Sequence, residues 1–315
     1  MAEKSVLVTG ASSGQIGAAL VVAFQQKGFT VFAAVRDPEK AADLSKLQSV
    51  HILNLDLTSE ASIAEAVEFV QARTSGKGLD VLMNSARVEF VMPLVDSSIV
   101  EGKRLFDINI WGTLAMVKAF TPQLIRNRGV VVNMSSIAGL VNTPWLGLYA
   151  ASESALNTMG ETLRLELAPF HVRVLTLVTG CVQADIYKKP GEFQLPPKSI
   201  YSRIVSTLAD TAEGKLDPEM TPAEIYASRV VADVLKEKTG LVYRGNIATI
   251  IRIASWLPSI LLDGMLSAKR GLDELAKLER KGKNWLRSAM IISSGTFGVQ
   301  PGRGTQPQVS GNGPR

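Results

Sequence analysis

"VLVTGASSGQIGAAL", residues 6–20, decides the fold. A short apolar run ends in Thr9–Gly10. A small, polar, glycine-bearing loop then opens straight into the amphipathic pattern of residues 15–28, closed by Gly28. A strand, a glycine loop and a helix in that order bring backbone N–H groups and the positive end of a helix to one place, which suits a pyrophosphate. Gly10, Gly14 and Gly17 would let the chain approach such a group closely. A glycine loop of this kind says little by itself, so the rest of the chain has to agree with it.

It does agree in pattern. Apolar runs at 30–36, 50–58, 79–86, 129–136, 171–180 and 241–245 read as further strands. Between them lie helical patterns: 38–47 opened by Pro38, 59–73 with Ser59 as cap, about 97–126, 146–170 ending at Pro169, and 221–237. Strands separated by helices of this length predict an α/β fold, a Rossmann-like doubly wound parallel sheet with right-handed crossovers. Its ligand crevice lies at the carboxyl ends of the strands. The expected organisation is a single domain over 1–245, a C-terminal helical and apolar extension over 246–292, and a Gly-, Ser-, Gln- and Pro-rich disordered tail over 293–315. The Pro- and Lys-rich stretch 183–198 reads as a substrate lid.

The net charge of +5 over 315 residues, with no basic stripe carrying interleaved aromatics, argues against a nucleic-acid partner. One cysteine, Cys181, excludes an internal disulfide and fits a reducing compartment. His51 and His171 lack companions with ligand spacing, so no metal is expected. The N-terminus enters a strand without an apolar leader, and no apolar run reaches about 18 residues. Residues 247–266 come nearest but are interrupted by Arg252, Pro258 and Asp263. They read either as a hairpin lying on a lipid or membrane surface or as a buried core helix, with a homo-oligomer contact as a further alternative. The expected location is cytoplasmic, peripheral to an endoplasmic-reticulum or lipid-droplet membrane should that hairpin touch lipid.

Further motifs follow the glycine loop: LDLT at 55–58, MNSA at 83–86, DINIWG at 107–112, NMSS at 133–136, and Tyr149 in YAASESAL at 149–156. Together they resemble the short-chain dehydrogenase/reductase family over about residues 4–245. Gln15 inserts one residue between Gly14 and Ile16–Gly17 relative to the usual family loop, and this resembles the acyl-dihydroxyacetone-phosphate reductase-like branch. The resemblance implies that Thr9, Gly10, Ser12, Ser13, Gln15, Ile16 and Gly17 meet the phosphates of a nicotinamide dinucleotide. It places Asp56 and Leu57 beside the adenine and Asn84, Ala86 and Arg87 on the ribose side. Thr179, Gly180 and Val182 would flank the carboxamide end. Arg36, just past the second strand, implies NADP (NADPH) rather than NAD.

The same resemblance assigns Tyr149 as the proton donor, Ser136, thirteen residues earlier, as the group that orients a carbonyl, and Asn109 as a support of the site. The family's lysine, however, is replaced by Glu153, one helical turn from Tyr149. A carboxylate there should raise the phenol's pKa. Arg87 stands at a family glycine position, Thr179 at a proline and Ala184 at a threonine. For Arg87 two alternatives remain: it pairs with Glu153 or reaches Tyr149, or it points to solvent. The expected function is NADP-dependent reduction of a small, apolar or biosynthetic-intermediate carbonyl compound. The alternative is a protein of the same fold that transfers no hydride, either a cyclase or isomerase or a nucleotide-binding protein.

Overall fold

The computed structural model describes residues 4–185 and 191–280. Seven strands form one parallel sheet: β1 (Ser5–Thr9), β2 (Thr30–Val35), β3 (Val50–Asn54), β4 (Val81–Asn84), β5 (Val130–Ser136), β6 (Arg173–Thr179) and β7 (Gly240–Arg244). Their order across the sheet is β3-β2-β1-β4-β5-β6-β7, and every pairing is parallel. The chain goes from β1 outward to β3, then returns to place β4 on the other side of β1. The crevice between β1 and β4 is therefore the switch point where such sheets take ligands.

Helices cover both faces. On one face, α1 (Ile16–Gln25) and α7 (Ala223–Leu235) pack Leu20, Phe24, Tyr226 and Val230 against Val6, Val8, Val31 and Leu175. On the other, α2 (Glu60–Arg73), α4 (Thr113–Asn127) and α5 (Gly147–Leu167) pack Val70, Phe120, Leu124 and Leu163 against Leu7, Phe32, Leu82 and Val131. Strands buried on both faces read as continuous apolar runs, which is why Val6–Val8, Val81–Met83 and Val130–Val132 carry no polar alternation.

Two expectations change. Residues 38–47 form two short 3₁₀ turns, Pro38–Ala41 and Leu44–Lys46, in place of a helix. Asp37 caps the first by accepting from the Glu39 N–H at 3.2 Å. The stretch 97–126 is α3 (Ile99–Phe106) and α4 joined by a π-helical turn, Asp107–Gly112. The wider turn inserts an extra residue and rotates Asn109 into the interior, where it is 2% exposed. A helix over Val205–Ala212, α6, lies in a stretch the periodicity left open.

The first compact unit runs to Leu272, so the boundary expected after residue 245 falls inside it. Residues 247–266 are two short helices, α8 (Ala248–Ala254) and α9 (Ser259–Ser267), broken at Pro258. Ile251, Ala254 and Leu262 bury against Val141, while Ile253, Trp256 and Ile260 are exposed. The segment thus combines a core contact with an open apolar face. No helix among the described residues is long and apolar enough to cross a membrane. The second unit begins at Asp273 and is described only to residue 280, as helix. The tail expected over 293–315 and the middle of the expected lid, 186–190, lie outside the described residues.

Candidate active site

A cleft of about 1070 Å³ opens along the carboxyl edge of the sheet, from the β1–α1 loop across the end of β4 to α5 and α9. At the loop end, Gly10 has φ +69°, and a Cβ there would lie 2.6 Å from the Ala86 Cα. Only glycine lets the ends of β1 and β4 meet this closely. Thr9 locks the junction, its hydroxyl oxygen accepting from the Ser85 and Ala86 N–H groups at 3.0 Å each. The first turn of α1 has no side-chain cap, and Ile16 and Gly17 line the cleft. Uncapped N–H groups at a helix N-terminus beside a glycine cradle fit a dinucleotide's phosphates, which is the test this site must pass to hold such a cofactor.

Gln15 has a specific contact. Its Nε2 donates to the Asp185 carbonyl at 2.6 Å, and the Asp185 N–H donates to the Gly14 carbonyl at 2.9 Å. The inserted residue therefore ties the phosphate loop to the chain leaving β6. Arg36 is exposed on the cleft wall beside Lys40, a second cation that sequence reasoning missed. The Ser13 N–H donates to the Lys40 carbonyl at 2.7 Å, so the 3₁₀ turn carrying Lys40 is held on the loop. Asp56 lines the cleft with Leu57, and its carboxylate accepts from the Thr58 N–H and hydroxyl at 2.9 and 2.7 Å. Those two bonds hold its pKa below the ordinary carboxylate value.

Most of the residues singled out from sequence reach the cleft wall, including Ser12, Ser13, Ala86, Arg87, Ser136, Tyr149, Thr179, Gly180 and Val182. Asn84, Asn109 and Glu153 lie behind it. The Asn84 amide donates to Asn133 Oδ1 at 2.9 Å inside the sheet. Asn109 Oδ1 accepts from the Val88 N–H at 2.9 Å, and its Nδ2 donates to the Val88 carbonyl at 3.0 Å and to the Ser152 hydroxyl at 3.2 Å. Asn109 therefore clamps the residue that follows Arg87.

Ser136 closes β5 and caps the turn Ile137–Gly139, its Oγ accepting from the Ala138 N–H at 3.1 Å. That bond uses a lone pair and leaves the Ser136 proton free to donate. Tyr149 and Glu153 face inward from the first turns of α5, and Glu153 is 1% exposed. The Arg87 guanidinium lies between them. Its Nη1 donates to the Tyr149 hydroxyl oxygen at 3.2 Å and is 3.5 Å from Glu153 Oε2, while Nη2 donates to the Ser135 carbonyl at 3.2 Å. The Arg87 guanidinium, with the Ser135 hydroxyl and the Ser136 N–H nearby, opposes the cost of burying the Glu153 carboxylate.

Burial raises the pKa of Tyr149 well above the usual phenol value, and Glu153 and Glu89 add to the rise while Arg87 opposes it. Burial also raises that of Glu153, against Arg87. Arg87 itself is held firmly protonated, because the groups at Tyr149 and Glu153 outweigh its desolvation. Glu89, which sequence reasoning also missed, lines the cleft beyond Arg87, and burial followed by the charge of Asp217 pushes its carboxyl up to about 7. Asp217 is paired with Arg270 at 3.3 Å on the same wall. The only sequence signal for Glu89 was an acid two residues after the odd arginine. Cys181 also lines the cleft, and burial pushes its thiol up to about 12, which leaves it a poor nucleophile.

Comparison with known proteins agrees with this geometry. The family model described as short chain dehydrogenase matches residues 4–194. The short-chain dehydrogenase ptmH of Penicillium ochrochloron is 41% identical over 261 residues, covering 83% of this chain and 94% of that one. An NADPH-dependent 1-acyldihydroxyacetone phosphate reductase of Schizosaccharomyces pombe is 41% identical over 204 residues, 64% of this chain and 68% of that one. A short-chain dehydrogenase from Burkholderia cenocepacia, solved in complex with NADP, superposes with a TM-score of 0.66 at 25% identity, covering 84% of this chain and 97% of that one. With one parallel sheet, one glycine cradle and a Ser–Tyr wall on one cleft, the chain belongs to the short-chain dehydrogenase/reductase family of oxidoreductases.

Proposed function

We propose that the protein is an NADP(H)-dependent reductase of a small, largely apolar carbonyl compound. The observation that carries this reading is that the phosphate cradle, Arg36, Ser136 and the Tyr149 hydroxyl line one continuous cleft. Gly10, Ile16 and Gly17 would hold the cofactor's phosphates, and Arg36 with Lys40 would meet a 2′-phosphate. When bound, the reduced nicotinamide supplies a hydride to the carbonyl carbon. Ser136 donates to the carbonyl oxygen and orients it, and Tyr149 gives its proton to that oxygen as negative charge develops there. A phenol holds its proton at neutral pH, as the donor in a reduction must.

The outer half of the cleft is walled by Val141, Leu146, Ile250, Ile251, Met265 and Leu266. An apolar wall of this kind favours a lipophilic substrate body. Glu89 and Asp217 on the same wall favour one that also carries a hydroxyl or another hydrogen-bond donor. The test is NADPH oxidation, followed by absorbance, across apolar ketones and aldehydes. Turnover that needs NADPH and yields an alcohol supports the reading. Tight NADPH binding with no turnover on any carbonyl defeats it, and would favour the non-redox use of the fold to which Glu153 alone points.

A further inference from the structure

We propose that Arg87 is the cation of this active site: from the β4 end it supplies to the Tyr149 hydroxyl the positive charge that the family's lysine would supply from α5, with Glu153 as its buried counter-ion. The inference rests on the reductase reading and names the group that makes it work without the lysine.

Three observations carry it. First, the contact is direct, since Arg87 Nη1 lies 3.2 Å from the Tyr149 oxygen and donates to it. The bond occupies a phenol lone pair and leaves the Tyr149 proton available for the substrate. Second, the guanidinium is fixed in three directions. The Ser135 carbonyl takes Nη2, Glu153 stands 3.5 Å from Nη1, and the Asn109 amide clamps the next residue, Val88, by both its N–H and its C=O. Third, the arrangement is compensated. The Arg87 side chain is 9% exposed and that of Glu153 1%, so either charge alone would be largely stripped of water. Glu153 in the lysine position is then a functional partner that keeps a buried arginine in place. An arginine cannot lose its proton, so the cation persists at every working pH.

The chemical step balances. The hydride comes from the reduced nicotinamide dinucleotide and forms the new C–H bond. The carbonyl oxygen takes the Tyr149 proton, and the phenolate left behind is held by the Arg87 N–H until water returns a proton.

The experiment pairs turnover with a readout that needs neither cofactor nor deprotonation of the phenol: the Tyr149 Cζ resonance at neutral pH in protein carrying isotope-labelled tyrosine, assigned by its loss in Tyr149→Phe. Arg87→Ala should lower kcat by about 10²-fold or more and shift that resonance. Arg87→Lys should keep most of the activity. Removing both charges in Arg87→Ala/Glu153→Gln avoids an orphaned carboxylate, so this variant should fold and bind NADPH yet stay slow. Moving the cation back to α5 with Arg87→Gly/Glu153→Lys should recover turnover to within about tenfold of the parent. The proposal is overturned if the folded double-neutral variant turns over as fast as the parent, or if the Tyr149 resonance is the same with and without Arg87. A parent with no reductase activity would defeat the reductase reading, and the resonance would still decide whether Arg87 acts on the phenol.

Discussion

At the end of the cleft proposed to take the phosphates the wall is mostly backbone, and at the end proposed for the nicotinamide it is mostly side chains. The first region depends on Gly10, Gly17 and the open first turn of α1, features set by φ angles and by close approach of the chain. The second depends on Arg87, Tyr149, Glu153 and Ser136, drawn from the ends of β4 and β5 and from α5. Backbone sites leave few solutions, so the first region keeps its glycines and changes only by the insertion of Gln15. A charge can be delivered from any neighbouring element whose side chain reaches, so the second can be rewired while the sheet stays unchanged. On the reading proposed above, the protein pairs a glycine cradle lengthened by Gln15 with an unusual source of positive charge.

Substitutions at the two ends should separate them. Tyr149→Phe should reduce turnover by about 10²–10⁴, with NADPH affinity changed by no more than about threefold. A comparable loss of NADPH binding would join the two regions and break the comparison. Glu153→Lys alone should destabilise the fold by about 3–5 kcal/mol, because it sets two buried cations side by side. Calorimetry or denaturant unfolding reads this, and an unchanged melting temperature with raised activity would mean that Arg87 had not been the working cation. Arg36→Ala, at the other end, should weaken NADPH by about tenfold and leave NADH nearly unchanged, with the gap shrinking at high salt. Equal weakening of both would show that Arg36 reads no 2′-phosphate. The smallest effect concerns Glu89, whose carboxyl is pushed up to about 7. As pH rises through that value Glu89 gains a negative charge near Tyr149, which disfavours charge build-up on the substrate oxygen. Reduction should fall by about threefold across the step, and Glu89→Gln should flatten that part of the pH profile. A step that survives in Glu89→Gln belongs to another group.

The phosphate end was legible in sequence because its determinants are local: a strand, glycines at fixed offsets and a helix start. The central strands were equally legible, since strands buried on both faces leave apolar runs, and the half-buried edge strands β3 and β7 are still bounded by turn residues. The π-helical turn at Asp107–Gly112 was not, because one inserted residue hardly disturbs a helical period, yet it turns Asn109 inward to hold Val88. Residues 38–47 looked helical by composition but have too little chain between β2 and β3 to build more than short turns. At the nicotinamide end, Arg87 and Glu153 stood out as departures from the family pattern. Sequence left open whether the guanidinium turns inward or out to solvent. That is decided by acceptors brought together from distant parts of the chain: the Ser135 carbonyl, the Tyr149 oxygen and the Glu153 carboxylate. Lys40, Glu89, Asp217 and Arg270 carry no local motif and become neighbours of the site only through the fold.

The coupling of Arg87 to Glu153 also constrains how such a site could change over generations. A lone guanidinium at that depth cannot shed its charge, and stranding it would consume much of the margin that keeps a domain folded. A lone carboxyl can take up a proton and persist as a neutral acid, as the upward pull of burial on Glu153 indicates. If the pair arose from a lysine form, the acid-first order avoids a stranded arginine. The two losses are unequal in the same way: losing Glu153 strands a cation that cannot neutralise, whereas losing Arg87 leaves a carboxyl that can. Glu153 is therefore the member of the pair less free to change, whatever substrate the site serves.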